Sequence, residues 1–120
     1  MNNNTISIKD RSKQFASIAI KAYTELNKRH YNDAGRVLAK QFLRSATSIA
    51  ANLAESEFAQ SKADFLSKNY IALKEAAETR MWIELMIESE IAPKYKFSLM
   101  LEEINIIIRI LISITKKLKK

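Results

Sequence analysis

The sequence predicts an all-α fold, an antiparallel up-down-up-down four-helix bundle, and three observations carry that prediction. One Gly and one Pro in 120 residues leave almost no turn punctuation, which excludes a series of short strands joined by tight turns. A hydrophobic content of 48% beside 28% charged residues is that of a chain with a packed core, not of a disordered one. Apolar residues recur at spacings of three and four in four successive stretches. The length allows a single domain, 1–120, with a short flexible N-terminus over 1–7 and a basic tail over 116–120.

The first helix is expected from about Lys9 to Lys28, where Phe15, Ile18, Ala22 and Leu26 line one face and Ala19 and Tyr23 widen it. His30-Tyr31-Asn32-Asp33-Ala34-Gly35 collects Asn, Asp and the only Gly, and reads as a connection. Asp33 suits the N-cap of a second helix running to about Phe58, with Leu38, Phe42, Ile49 and Leu53 on its apolar side. Between them the small residues Ser45-Ala46-Thr47-Ser48 and Ala50-Ala51-Asn52 allow another helix axis to approach closely. Ser61 followed by Asp64 forms a capping box with Asp in place of Glu, opening a third helix from Lys62 to Ser89. Pro93 suits the first turn of a fourth helix that reaches Lys117, where Lys116 and Lys117 complement the helix dipole.

The fourth helix carries two apolar stripes. Phe97, Leu101, Ile104, Ile108, Leu111 and Leu118 form one; Met100, Ile107, Ile110 and Ile114 form the other. A bundle helix needs one stripe for its own core, so Met100, Ile107, Ile110 and Ile114 are expected to make a subunit interface in a homo-oligomer.

The net charge is +7, unevenly spread. Residues 1–54 hold nine basic and three acidic groups, residues 55–115 hold seven and ten, and residues 116–120 add four lysines. Such a basic half and tail fit nucleic acid, an acidic protein or an anionic surface. Arg36, Lys40 and Arg44 stand four apart and form a straight ridge on the second helix, a candidate phosphate-binding surface. Alternatively, one of the three pairs with a carboxylate of the third helix and the others are solvated. Lys9, Lys13, Lys21, Lys28 and Arg29 on the first helix, with Lys116 and Lys117 in the tail, are secondary candidates. Tyr23, Tyr31 and Tyr95 are able to stack on bases, but at their positions packing is the preferred reading.

Ser45, Ser48, Asn52 and Glu55, together with Glu75 and Glu78, are read as a polar network that sets helix register. A di-metal carboxylate site wants Glu-x-x-His motifs from two helices, and this chain has one His, outside the helices. Zero Cys excludes disulfides and thiolate metal sites, and one Gly excludes a phosphate-cradling loop or a nucleophile elbow. The chain is therefore expected to be non-enzymatic, without cofactor, metal or small-molecule substrate. The longest apolar stretch, Ile104 to Thr115, is too short to span a membrane, and residues 1–7 lack the pattern of a secretory signal, so a cytoplasmic protein is expected.

Gln41-Phe42-Leu43-Arg44-Ser45-Ala46-Thr47-Ser48-Ile49-Ala50-Ala51-Asn52-Leu53-Ala54-Glu55, with Ser61, Asp64-Phe65, Ile71 to Thr79 and Trp82, resembles the four-helix proteins encoded in intervening sequences of bacterial 23S rRNA genes. These are relatives of the accessory variability determinant of diversity-generating retroelements. Ser56 stands where that family commonly has Gly. The resemblance implies a basic protomer that assembles into a ring, typically a homopentamer. It also implies binding to nucleic acid, RNA or DNA, or as the alternative an adaptor for a nucleic-acid-processing protein such as a reverse transcriptase.

Overall fold

The computed structural model of the chain describes residues 6–29 and 33–119. His30 and Tyr31, and the tip of the basic tail, lie outside the described residues. Four helices follow in order: α1 Ile8–Asn27, α2 Asp33–Ser56, α3 Lys62–Glu88 and α4 Lys94–Lys119. Each packs antiparallel against the next. The α2–α3 contact is the most extensive and the α1–α4 contact that closes the bundle is the slightest. The extents, 47 × 33 × 20 Å, describe a flattened bundle rather than a square one, in keeping with α1 and α4 standing partly apart.

Local chemistry explains the boundaries. Ser7 Oγ accepts from the Asp10 N–H (3.0 Å) and Ser61 Oγ from the Asp64 N–H (3.0 Å), so the same Ser-x-x-Asp spacing opens α1 and α3. Asp64 Oδ2 in turn accepts from the Gln60 N–H at 3.2 Å, one residue outside the cap that a longer Glu would reach. The α2 end tightens into three-residue turns, Phe58 N–H to the Glu55 carbonyl and Ala59 N–H to the Ser56 carbonyl. The helix therefore stops at Ser56, two residues short of the expected end. Gly35 is not in the connection; it lies on the buried side of the first turn of α2.

The end of α3 uses a Schellman turn. The Ile91 N–H donates to the Met86 carbonyl (2.9 Å) and the Glu90 N–H to the Ile87 carbonyl (3.1 Å). Glu90 supplies the left-handed residue, at φ 59°, where Gly is the usual choice because a Cβ is unfavourable there. Glu90→Gly is expected to stabilise the fold by about 1 kcal/mol and raise the melting temperature by about 4 °C. A thermal melt with no rise would contradict strain at this turn.

The core draws on all four helices. Phe15, Ala19 and Leu26 meet Phe42, Ala46 and Ile49, then Ala72, Ala76 and Ile83, then Phe97, Ile104 and Leu111. Polar clasps cross three of the seams: Lys9 of α1 to Glu57 just past the end of α2, Arg80–Asn105 between α3 and α4, and a forked Arg11–Glu103 pair between α1 and α4. For Met100 and Ile107 the expected subunit interface on the second α4 stripe is corrected by this packing. Met100 is 5% exposed and Ile107 is fully buried, both inside the chain's own core. A bundle helix buries an arc about 100° wide, broader than a coiled-coil seam, and the two stripes are the two edges of that arc. Ile110 and Ile114 are half-buried and keep part of their surface open. Apolar side chains left open along this side include Leu99, 51% exposed, and Ile18 across the α1–α4 seam, 50% exposed; Ile112 on α4 is also exposed.

Candidate nucleic-acid interface

Arg36, Lys40 and Arg44 share the outward face of α2, and all three are exposed. They do not form an unneutralised ridge. Arg36 reaches back to Asp33 at 3.3 Å, one turn earlier, a contact that offsets the cost of a cation in the first turn. Arg44 is held by three acceptors: Gln41 (3.3 Å) on its own helix, and Glu75 (3.3 Å) and Glu78 (2.7 Å) on α3. The pairing with a third-helix carboxylate, left open by the sequence, is the arrangement found. Lys40 alone of the three makes no ion pair among the described residues.

The other candidate cations divide in the same way. Lys9 donates to both carboxylate oxygens of Glu57 (2.9 and 2.6 Å), and that hydrogen bond holds its ammonium above the ordinary lysine value. Lys28 lies 3.3 Å from Glu25 in an exposed pair of little energetic weight. Lys13, Lys21, Arg29, Lys116 and Lys117 are exposed, with no ion pair among the described residues. Sequence reasoning passed over Lys94 and Lys96, which are exposed in the first turn of α4. It also misplaced Tyr95. Tyr23 packs against the core as expected, but Tyr95 is 79% exposed.

The polar positions of α2 and α3 act as separate links rather than one network. Ser45 and Thr79, both fully buried, share a 2.8 Å hydroxyl–hydroxyl hydrogen bond across the seam. Each hydroxyl also lies near a carbonyl of its own helix, Phe42 at 3.2 Å and Glu75 at 2.7 Å, which takes the proton the pair does not share. Glu55 pairs with Lys68 at 2.8 Å, and this bond holds the Lys68 ammonium above its ordinary value. Arg44 ties Glu75 and Glu78. Asn52 instead donates within α2, to the Ser48 carbonyl at 2.9 Å, and does not cross the seam.

Thr79→Val is expected to cost about 1–2 kcal/mol by urea unfolding, since it strips a buried partner from Ser45. Ser45→Ala in the same chain is expected to add less than its single effect, because the hydrogen bond across the seam is already gone. Simple additivity would contradict the link.

Among the described residues, no three His, Cys, Asp or Glu side chains converge to hold a metal ion, and no helix is long and apolar enough to cross a membrane. The α1–α4 seam opens into a groove of about 550 Å³ lined by Phe15, Ile18, Leu99 and Met100, with Lys21, Lys96, Glu25 and Glu103 on its rim. Toward the α4 start it continues into a second depression of about 370 Å³ bordered by Lys28, Arg29, Tyr95 and Lys96.

Residues 5–113 match the family model described as 23S rRNA-intervening sequence protein. A crystal structure of a protein of unknown function from the S23 ribosomal protein family of Bacteroides thetaiotaomicron is similar. It is 42% identical with a TM-score of 0.82, over 92% of this chain and 99% of that one. None of the curated proteins compared with the chain matches it.

Proposed function

Since the chain belongs to the 23S rRNA-intervening sequence protein family, we propose that it is a non-enzymatic, homo-oligomeric protein of the cytoplasm that binds nucleic acid through the phosphate backbone. The observation that carries this reading is the set of cations left without a carboxylate among the described residues. Lys13, Lys21, Arg29, Lys40, Lys116 and Lys117 are all exposed and lack an ion pair there. Cations of this kind hold phosphates without reading bases. The family's name ties its genes to 23S rRNA, and the Bacteroides relative carries the name of a ribosomal protein family; both support a polynucleotide partner.

Self-association rests on the α1–α4 groove. Ile18 and Leu99 leave apolar surface in water, and both signs of charge on the rim make the groove complementary to a second copy of itself. A ring of five is the form the family resemblance implies. Copies in a ring would gather weak cationic contacts into one multivalent surface.

Binding of a labelled RNA is expected to weaken steeply with salt, log K falling by about 0.7 per phosphate contacted on a single strand. Lys40→Ala is expected to lower that slope by about one contact without loss of stability. Arg44→Ala is expected to loosen the α2–α3 seam more than it weakens binding, because its guanidinium is already engaged by Glu75 and Glu78. Absence of RNA and DNA binding at low salt would overturn the reading.

A further inference from the structure

The depression at the α4 start combines features that nothing in the packing of the chain requires. Tyr95 leaves most of its ring in water, where a core aromatic would bury it. Its backbone is nonetheless fixed: Pro93 precedes it, the Phe97 N–H closes on the Pro93 carbonyl at 3.2 Å, and the Phe97 side chain is 1% exposed in the core. The ring therefore projects from a rigid turn and is presented rather than loose.

The charge around it also breaks a local rule. A helix start favours acidic residues, yet the first turn of α4 has none and carries Lys94 and Lys96. Lys28 and Arg29, at the end of α1, border the same depression. Its one acidic lining residue, Glu25, is paired with Lys28. Positions that break local preference without a packing gain are where function is expected. The α1–α4 groove has both signs on its rim, but this end is dominated by cations, and a second copy of a +7 chain would bring like charge to it. An anion with an aromatic face fits better.

We propose that this depression is a single-stranded nucleic-acid subsite, in which Tyr95 stacks on an unpaired base while Arg29, Lys96 and Lys28 hold the adjoining phosphates. The inference rests on the polynucleotide reading above and deepens it by naming the strand state and the contact. About 370 Å³ lies near the lower end of the range for small-ligand sites, enough for one nucleotide. A duplex keeps its bases stacked on each other and out of reach of an exposed tyrosine, whereas a single strand offers every base face.

The test is fluorescence anisotropy of the full chain, in its native assembly, with labelled oligo(U) of about 20 nucleotides and a duplex of equal length, a span that covers several nucleotide-sized sites. The wild type is expected to prefer oligo(U). Tyr95→Ala is expected to lose roughly tenfold on oligo(U) and nothing on the duplex, and Tyr95→Phe to stay within about twofold of wild type, since stacking needs only the ring. Arg29→Ala and Lys96→Ala are each expected to reduce the salt slope on oligo(U) by about 0.7. If the wild type binds oligo(U) and Tyr95→Ala binds it equally well, the subsite is overturned while the backbone reading stands. Equal loss on both probes, or a fall in the native mass of Tyr95→Ala, would assign the ring to contacts between copies and also overturn it. A wild type that binds neither probe would remove the reading beneath it as well.

Discussion

Phe42→Ala is expected to lower the free energy of unfolding by about 3–5 kcal/mol, a large share of what a domain of this size has. The side chain is fully buried, and its ring lies 5.6 Å from that of Phe97 with the planes tilted by 57°. That tilted geometry lies between the offset-stacked and edge-to-face arrangements favoured by aromatic quadrupoles. The position matters as much as the area. α2 and α4 lie diagonally across the bundle and do not pack along their lengths, so these two rings tie together helices with no extended contact of their own. Removing one leaves a cavity bordered by four rigid helices that have little freedom to collapse. Urea unfolding at fixed protein concentration checks this, with the midpoint falling and the slope unchanged. Phe42→Leu, which refills most of the volume, is expected to cost about 1.5 kcal/mol or less. A Phe42→Ala chain within about 1 kcal/mol of wild type would mean the bundle centre is packed differently.

Leu99→Glu is expected to break self-association. Leu99 and Ile18 flank the α1–α4 groove with half their surfaces open, so the substitution barely touches the protomer's own core. In a contact between copies it would remove apolar burial and place a carboxylate there without a partner. The expected weakening is about 2–4 kcal/mol per contact, roughly one and a half to three decades in association. Ile18→Glu is expected to act alike from the other wall of the groove. Helical circular dichroism should be preserved in both. Sedimentation of the variants beside wild type reads the outcome. Loss of association on changing Met100 or Ile107 would be no substitute, because both are core residues and their replacement damages the protomer first.

The helix count and most boundaries were legible because they depend on local chemistry. Apolar spacing, the Ser61–Asp64 box and Pro93 are all read within one turn of chain, and the observed ends lie close to the expected ones. The family was legible for a related reason, since its motif of small and polar residues is packed into α2 and α3. What failed depends on register between helices. Which of Arg36, Lys40 and Arg44 pairs with α3 stayed open, because the partners of Arg44, Glu75 and Glu78, lie on α3 and only the antiparallel alignment of α2 and α3 shows which carboxylates it meets. Met100 and Ile107 in the second stripe of α4 belong to the core instead, because periodicity gives the direction of a side chain but not the width of the face its neighbours cover. Tyr95 was misjudged since an aromatic beside a helix start is buried or exposed according to what α1 places opposite it. The left-handed Glu90 left no sequence signal at all, because nothing about a Glu marks that conformation.

Central to the proposed function is association of protomers that together present cations to a polynucleotide. Native mass at falling protein concentration, taken before and after nuclease treatment, tests it most directly. The expected result is a multiple of the 13.8 kDa protomer that survives nuclease, together with a heavier species that nuclease removes. A 13.8 kDa particle under every condition, with no nuclease-sensitive mass, would contradict it.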